Sequence, residues 1–382
     1  MRYPGNSVNS PSEETSGAAG LASDELSFAQ LWRNRAPLRH KADEVETWNK
    51  RIAETPNNYG PSAYSLAFLE LAKLDADDTV FDMGCGAGTL AIPCALAGHQ
   101  VTAADFSDGM LAQLKANMPE HGVTESAIRP IKLSWEDDWQ AADVARKSHD
   151  VAFASRSIIT DDLEGSIKKL TNTARKKVCI TVVPGCSPRC HAGMLQDIGL
   201  TPTGHQDASF AFAVAQELGL LPEVRYIASE RCEAFATPEA AFVKYRAMLS
   251  LTRENPRGAS LDAAESRMKE WLQCNLEQVP ASSLDAKTRA SIVPRSKESA
   301  GRNSCGSNSL PGSTQVARTS ATSPAATNAP ACAPRAAEPE TLVAPTVSAS
   351  TDANAEALVW IPKKKRMVTW AFLSWNAPDA LL

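Results

Sequence analysis

The segment 79–90, "TVFDMGCGAGTL", constrains the fold of this chain more than any other feature. A short apolar run leads directly into Gly84, Gly86 and Gly88, and we expect a helix to begin near Thr89. Glycine permits a sharp turn and lets a ligand approach the backbone closely. A buried strand, a glycine-rich turn and a helix in this order predict an α/β domain with a ligand site at the turn.

Short apolar runs alternate with longer helical patterns from Thr79 onward. This alternation predicts βαβ units and a parallel sheet covered by helices on both faces. The runs that we interpret as strands lie near residues 80, 102, 131, 152, 180 and 226: "TVFDM", "QVTAAD", "AIRPIKLSW", "DVAFAS", "KKVCITVV" and "EVRYIAS".

The rest of the chain divides by composition. Residues 1–25 are polar and rich in serine and glycine, and we predict that they are disordered. Residues 26–75 show helical spacing with aromatic anchors and are predicted to form an N-terminal helical cap, followed by the sheet domain over 76–280. Residues 281–355 are dominated by Ala, Ser, Pro, Thr and Gly and are predicted to be a disordered insertion, whereas 356–382 end in a dense apolar run.

Charge and cysteine usage exclude several functional classes. The net charge of −5 gives no general attraction to nucleic acid or anionic lipid. Nine cysteines without dense regular spacing are typical of reduced thiols in a cytosolic protein. The first 25 residues lack the apolar segment of a signal peptide, and no run of about 18 apolar residues occurs. We therefore expect a cytoplasmic protein without nucleic acid or membrane partners.

The residues around the glycine loop indicate which ligand binds there. Asp105 ends the second predicted strand about 20 residues after the loop, where a carboxylate can accept hydrogen bonds from both hydroxyls of a ribose. The dinucleotide pattern G-x-G-x-x-G requires glycine where this chain has Thr89. Asp82, just before the first glycine, would repel a pyrophosphate but suits a ligand with an ammonium and a sulfonium group. The charges favour S-adenosyl-L-methionine over a dinucleotide, and an NAD-linked oxidoreductase is the disfavoured alternative.

"DMGCGAG" and "VTAADFSDGML" resemble the first motif, and the strand and helix start that follow it, in class I S-adenosylmethionine-dependent methyltransferases. The resemblance implies that the loop wraps the methionine moiety, that the acidic residue ending the second strand holds the ribose, and that the next side chain flanks the adenine. Carried over to this chain, the cofactor-binding residues are Asp82, Gly84, Cys85, Gly86 and Gly88, then Asp105, then Phe106 with Ser107 and Met110 nearby.

The third strand, "IKLSWEDDW", ends where members of the resembling family contact the adenine, so the resemblance adds Ser134, Trp135 and Glu136 to the predicted cofactor site. A surface loop with its tryptophan in the core is the alternative for this segment. In the resembling family the end of the fourth strand faces the methyl acceptor. Here that end carries Ser155, Arg156 and Ser157, and the resemblance adds Ser155 to the predicted site. The Asn/Asp-Pro-Pro-Tyr motif of amide and adenine N-methyltransferases is absent, which disfavours methylation of DNA or protein glutamine.

The C-terminal run "MVTWAFLSW" is predicted to be the seventh strand. It resembles the V-x-W-A-F-x-S-W ending of a bacterial subgroup of class I methyltransferases of undefined substrate. The resemblance implies an α/β, Rossmann-like seven-stranded sheet whose last strand is antiparallel and lies between strands five and six. The tract 281–355 is then an insertion between strands six and seven, which adds only about 1–2 kcal/mol of loop-closure free energy.

The sequence says less about catalysis. Methyl transfer from a sulfonium is an in-line displacement that needs alignment and exclusion of water, with a general base only for a protonated acceptor. His40, His191 and His205 are weak candidates for that base, so the catalytic residues are not identified. We expect a small-molecule acceptor, and the oligomeric state is not predicted.

Two further alternatives concern other classes of function. "CSPRCH" (186–191) lacks a fourth ligand and a second ligand pair, so we expect no metal site. A cofactor-binding protein without catalysis, which acts as an interaction module through its disordered tract, is a functional alternative that the sequence leaves open.

Overall fold

A computed structural model of the chain describes residues 27–35, 46, 48–49, 61–285, 288–289, 292–293 and 357–380. The strands of these residues are β1 (Val80–Met83), β2 (Val101–Asp105), β3 (Ile128–Lys132), β4 (His149–Ser155), β5 (Ala174–Val182), β6 (Glu223–Arg231), β7 (Leu276–Pro280), β8 (Leu358–Pro362) and β9 (Arg366–Asn376). Their α-helices are α1 (Phe28–Arg35), α2 (Ala63–Ala72), α3 (Ala91–Leu96), α4 (Asp108–Glu120), α5 (Leu163–Thr173), α6 (Ala192–Asp197), α7 (Asp207–Glu217), α8 (Pro238–Arg246) and α9 (Ala259–Asn275).

Seven strands form one sheet in the order β3-β2-β1-β4-β5-β9-β6. Strands β1 to β5 pair in parallel, and β9 pairs antiparallel with both β5 and β6. The predicted seventh strand is therefore confirmed, and Ala371 pairs with Val182 on one side and Tyr226 on the other. The predicted α/β, Rossmann-like fold with an antiparallel last strand and helices on both faces is confirmed as well.

The sheet separates two hydrophobic cores, because alternate residues of its buried strands point to opposite faces. Phe81 belongs to the core that contains residues of α1, α5 and α7, whereas Val80 belongs to the core that contains residues of α2, α3 and α4. The aromatic anchors of the N-terminal segment enter these cores. Trp32 packs 5.5 Å from Phe210, and Phe68 packs 5.1 Å from Phe372 of β9, measured between ring centroids.

The chain divides into two compact units. The smaller consists of Glu233–Arg246 and Met268–Lys363, and in it β7 and β8 form an antiparallel two-stranded sheet. This sheet was not predicted, since "NLEQ" continued the helical pattern that the structure ends at Asn275. The structure also describes contacts at the start of the predicted insertion: Ala281–Ser283 form a 3-10 turn and Val293 forms a bridge with Phe235.

Other parts of the predicted organisation are not tested. Residues 1–26 and 294–356 lie outside the described residues, so the disorder predicted for them stays a prediction. None of the helices in the described part of the chain has the length and apolar character needed to cross a membrane.

Candidate functional site

The carboxyl ends of β1, β2 and β4 meet at one edge of the sheet, and most of the predicted site residues lie there. Asp82 pairs in register with Ala103 of β2 and with Phe153 of β4. Asp105 and Ser155 end these two neighbouring strands. Parallel pairing thus brings residues that are distant in sequence to the edge where α/β sheets bind ligands.

The glycine loop after β1 is fastened to β2. The backbone N–H groups of Gly84 and Cys85 both donate to the carbonyl oxygen of Ala104, at 2.8 and 2.9 Å. Gly84, Gly86 and Gly88 all have positive φ angles, of 74°, 55° and 98°. This left-handed backbone is costly for other residues, which explains the glycines at these positions.

The three glycines differ in how much space surrounds them, and this indicates different roles. A Cβ on Gly84 would lie 2.3 Å from the Cβ of Ser157, and one on Gly88 would lie 2.7 Å from Cδ1 of Leu114. Among the described residues, a Cβ on Gly86 would meet only the Met110 sulfur, at 3.9 Å. Gly84 and Gly88 are therefore needed for packing within the protein. Of the three, Gly86 leaves room for a ligand to approach the backbone.

Asp82 is a buried carboxylate whose charge is not balanced by a direct partner. Its side chain is 1% exposed, and neither carboxylate oxygen has a hydrogen-bond partner among the described residues. Burial raises the pKa of Asp82 to about 7; the Asp105 carboxylate adds to this effect, and the Arg156 guanidinium and the nearby Ala91 amide oppose it. A buried polar group without a partner is rare and costly. A ligand ammonium would satisfy it.

Asp105 anchors the glycine loop, a role that the sequence did not predict. Its Oδ2 accepts a hydrogen bond from the Gly86 N–H and its Oδ1 accepts one from the Ser107 N–H, both at 2.9 Å. Burial raises the pKa of Asp105, and these backbone hydrogen bonds oppose the rise. A carboxylate offers about four acceptor positions, so two remain for the hydroxyls of a ribose.

The residues that follow Asp105 border the same edge. Phe106 is half-buried, and the Ser107 side chain accepts a hydrogen bond from the Met110 N–H at the start of α4. The Ser107 hydroxyl also donates to Oδ1 of Asn49, at 2.7 Å. Asn49 comes from the N-terminal segment and was missed by the sequence analysis, since nothing in its surroundings marks it as a site residue.

The loop after β3 is held by contacts within the loop and with the rest of the domain. The Ser134 hydroxyl donates to the Glu136 carboxylate at 2.9 Å, and the Trp135 indole N–H donates to the Ser157 carbonyl oxygen at 2.9 Å. Trp135 also packs 5.3 Å from Trp139 against the hydrophobic core. These contacts favour the packing interpretation of Trp135. Adenine contacts of these three loop residues stay a prediction.

A cluster of hydroxyl groups lies beside this edge at the ends of β4 and β5. The Tyr64 hydroxyl hydrogen-bonds with the Ser155 hydroxyl at 2.7 Å and with that of Thr181 at 2.6 Å. The guanidinium of Arg156 lies 4.5 Å from the centre of the Tyr64 ring and 5.5 Å from that of Trp370. The sequence placed Tyr64 in a cap and Trp370 in a strand, and only the tertiary fold brings both to Arg156.

The segment 186–191 serves a structural role in this fold. Nδ1 of His191 accepts a hydrogen bond from the Met194 N–H at the start of α6. Burial raises the pKa of Cys186 and raises that of Cys190 to about 11, so both thiols are protonated at neutral pH. The described residues contain no group of three or more His, Cys, Asp or Glu side chains suited to a metal ion. His40, another base candidate, lies outside the described residues.

Comparison with known proteins adds independent support. Residues 80–177 match the family model described as "Methyltransferase domain". Over 165 residues the chain is 35% identical to an uncharacterized protein of Haemophilus influenzae, a region that covers 42% of this chain and 58% of that protein. The chain thus spans about 58% of the length of the curated relative that it matches.

Solved structures with detectable similarity include two methyltransferases. Magnesium protoporphyrin IX methyltransferase from Synechocystis PCC 6803, solved with bound SAH, is 17% identical, with coverage of 52% of this chain and 94% of that chain and a TM-score of 0.36. Precorrin-6y C5,15-methyltransferase from Geobacter metallireducens is 12% identical, with coverage of 47% and 82% and a TM-score of 0.35. Similarity at these TM-scores carries no argument about the acceptor.

The family match and the sheet order together define the class of this domain. Residues 80–177 belong to a methyltransferase domain, and the sheet has the strand order of class I S-adenosylmethionine-dependent methyltransferases. The resemblance stated from the sequence is confirmed, and with it the cofactor that this class of domain uses, S-adenosyl-L-methionine. The activity and the acceptor of the whole chain are proposals.

Proposed function

We propose that this protein is an S-adenosylmethionine-dependent methyltransferase that transfers the methyl group in line to a small-molecule acceptor. The buried, unpartnered carboxylate of Asp82 beside the open face of Gly86 carries this proposal. A ligand with a positive charge close to the glycine loop would satisfy this carboxylate. S-Adenosylmethionine has an ammonium group in its methionine moiety, which suits this position.

The side chains around the loop have distinct tasks in binding. Asp82 would accept the ammonium, and Asp105 would accept the ribose hydroxyls with the lone pairs that the loop amides leave open. Gly86 would let the methionine chain pass close to the backbone. When bound, the cofactor supplies the methyl group on its sulfonium. The protein contributes alignment and exclusion of water, which are the main requirements of a displacement.

The same charges argue against the alternative cofactor. A nicotinamide dinucleotide would place its pyrophosphate at the loop, beside Asp82 and Asp105. Two buried carboxylates at this place would repel it, and neither has an ion-pair partner among the described residues. No observation favours an oxidoreductase. The other alternative, cofactor binding without catalysis, is distinguished from the proposal by the methyl-transfer assay described below.

A small-molecule acceptor and a cytoplasmic location are supported by weaker observations. The chain has a net charge of −5 and lacks the Asn/Asp-Pro-Pro-Tyr motif after β4, which disfavours DNA as the acceptor. The cysteines in the described part of the chain are free thiols, as is usual in a reducing compartment.

Calorimetry with S-adenosylhomocysteine and with NAD tests the cofactor. We expect the first to bind and the second not to bind. Because the pKa of Asp82 is about 7 in the ligand-free protein and an ammonium would lower it, binding at pH 6 should release a proton. Titrations in two buffers with different ionisation enthalpies measure that release, and Asp82→Asn should abolish it.

Incubation of a cell extract with radiolabelled S-adenosylmethionine tests the reaction. Label should enter the small-molecule fraction with the wild type and not with Asp82→Asn. Cofactor binding without any label transfer would favour the interaction module, and label in nucleic acid or protein would contradict the proposed acceptor class.

A further inference from the structure

Arg156 occupies a strained position in the turn after β4. Its φ angle is +63°, in the left-handed region that is unfavourable for a residue with a side chain. The turn is fixed on both sides. The Arg156 N–H donates to the Thr181 carbonyl oxygen at 3.0 Å, and the Ser157 hydroxyl donates to the Met83 carbonyl oxygen at 2.6 Å. Strained backbone of this kind concentrates at functional sites.

The fixed turn directs the Arg156 side chain away from β1. Its guanidinium lies near the rings of Tyr64 and Trp370, and Trp370 belongs to β9. In the sheet order, β9 lies two strands from β4 on the side opposite to β1. Two strand spacings are roughly 10 Å. The guanidinium therefore lies on the β5 and β9 side of the edge, whereas the glycine loop and Asp105 lie on the β1 and β2 side.

The ring contacts hold the guanidinium but do not use its hydrogen-bond donors. Arg156 is an exposed residue, and its side chain makes no hydrogen bond or ion pair with any residue that the structure describes. Tyr64 itself is fixed, because its hydroxyl is held by Ser155 and Thr181. A guanidinium that is stacked on aromatic rings presents its N–H groups in a rigid fork, which matches two oxygens of a carboxylate or a phosphate.

We propose that the methyl acceptor carries an anionic group, a carboxylate or a phosphate, and that the Arg156 guanidinium binds this group beside the point of transfer. This inference rests on the proposed function, because it assumes a bound cofactor at the β1 and β2 side of the edge and an acceptor at the β5 and β9 side. It names the chemical class of the acceptor, and it makes Arg156 a substrate-positioning residue.

A different ligand group competes for the same guanidinium. The methionine moiety of the cofactor also carries a carboxylate, and Arg156 acts electrostatically on Asp82. The position of the guanidinium near Trp370 favours the acceptor over the cofactor. The two assignments differ in one measurable respect. Cofactor affinity depends on Arg156 only if the guanidinium binds the carboxylate of the cofactor.

Calorimetric titrations distinguish these assignments. In the first titration the ligand is S-adenosylhomocysteine. In the second, the protein is saturated with S-adenosylhomocysteine and titrated with benzoate, with phenyl phosphate or with the neutral benzamide. The test variant is Arg156→Asn, because asparagine adopts positive φ more readily than most residues and preserves the turn. The control is Arg225→Gln, which removes an exposed arginine on β6.

We expect benzoate or phenyl phosphate to bind the wild type and benzamide not to bind. Arg156→Asn should weaken the anion by about tenfold or more, since a charge-assisted bidentate contact is lost. It should change the S-adenosylhomocysteine affinity by no more than about twofold, and Arg225→Gln should change neither affinity.

Three results would overturn the inference: no binding of either anion by the wild type, equal binding by Arg156→Asn, or loss of S-adenosylhomocysteine affinity in that variant. The last result would assign the guanidinium to the cofactor carboxylate. Failure of the wild type to bind S-adenosylhomocysteine would contradict the proposed function instead, and it is seen in a separate titration.

Discussion

Gly84 lies so close to the Ser157 side chain that position 84 has no room for a side chain of its own. A Cβ on Gly84 would lie 2.3 Å from the Ser157 Cβ and 2.7 Å from its Oγ. This contact joins the glycine loop after β1 to the turn after β4. The loop that is expected to bind the cofactor and the turn that carries Arg156 therefore depend on one another for their positions.

Gly84→Ala should destabilise the fold. The Cβ clashes with a side chain that is attached to a fixed turn, and the φ angle of +74° adds strain. We expect a loss of about 2–4 kcal/mol in the free energy of unfolding, measured with urea. Gly98→Ala is a matched control, because Gly98 has a φ angle of +100° with no atom within 4 Å of a Cβ. Equal losses in the two variants would show that the Ser157 contact does not matter.

Gly86→Val should act on the ligand more than on the fold. In the part of the chain that the structure describes, a Cβ at Gly86 meets only the Met110 sulfur, at 3.9 Å, so we expect the side chain to fit the ligand-free protein at the cost of backbone strain. It would occupy the space through which the cofactor approaches the loop. We expect loss of S-adenosylhomocysteine binding by calorimetry while the variant stays folded by circular dichroism. Unchanged affinity would make the glycine run purely structural and remove a main support of the methyltransferase proposal.

Asp82 should make the ligand-free protein less stable as the pH rises. The pKa of its carboxyl group is raised from 3.8 to about 7, so the unfolded chain ionises at lower pH than the folded one. The free energy of unfolding should therefore fall between about pH 4 and pH 7, by about 4 kcal/mol, and stay level above that range. Asp82→Asn should remove most of this fall. Urea unfolding of the wild type and of Asp82→Asn at pH 4 and pH 8 measures this fall. If the difference in stability between the two proteins is the same at both pH values, the raised pKa is contradicted.

Asp105 should be needed for both the cofactor and the loop. We expect Asp105→Ala to abolish or greatly weaken S-adenosylhomocysteine binding and also to loosen the loop, because the Gly86 and Ser107 N–H groups lose their acceptor. Each such charge-assisted hydrogen bond contributes about 1.5–3 kcal/mol. Asp105→Asn keeps one acceptor oxygen, so we expect it to lose less stability than Asp105→Ala while it still loses most of the S-adenosylhomocysteine affinity. Calorimetry and thermal unfolding of both variants separate the two effects, and full affinity in either would remove Asp105 from the site.

The positions of the strands and of the glycine loop were predictable from sequence because both depend on local pattern. The place of the last strand between strands five and six came instead from the resemblance to class I methyltransferases. The run "DVAFAS" and the centre of "MVTWAFLSW", residues 370–373, are buried on both faces, and this leaves a continuous signal in the sequence. The strand β7 left no such signal. Leu276 and the residues after it continue a helical pattern, and their partner β8 follows only after the long insertion.

The division of tasks within the site could not be predicted, because it depends on contacts between distant segments. Sequence treats the three loop glycines alike, whereas Ser157 decides the role of Gly84 and Leu114 decides that of Gly88. The Tyr64 hydroxyl reaches Ser155 and Thr181 only because α2 packs on the sheet in this orientation. Such tertiary contacts leave no periodic pattern in one sequence.

The two halves of the C-terminal region should respond to deletion in opposite ways. We expect replacement of residues 294–355 by a short Gly/Ser linker to change stability and S-adenosylhomocysteine binding little, as predicted for a disordered insertion. The replacement begins after Val293, whose backbone hydrogen-bonds with Ala234 and Ala236. A large loss of stability in this variant would show that the insertion packs on the domain.

Truncation after Pro362 removes β9 and should leave the protein insoluble or unfolded. The lost strand buries large side chains at its centre, Val368, Trp370, Phe372 and Trp375. At about 1.5–3 kcal/mol for each large buried side chain, the loss of three rivals the 5–15 kcal/mol stability of a typical domain. The truncation also leaves β5 and β6 without the partner that lies between them, so their backbone N–H and C=O groups lose their hydrogen bonds. Truncation after Asp379 keeps β9 and is the control. A folded, cofactor-binding protein that ends at Pro362 would show that the sheet closes without its antiparallel strand, against the register seen here.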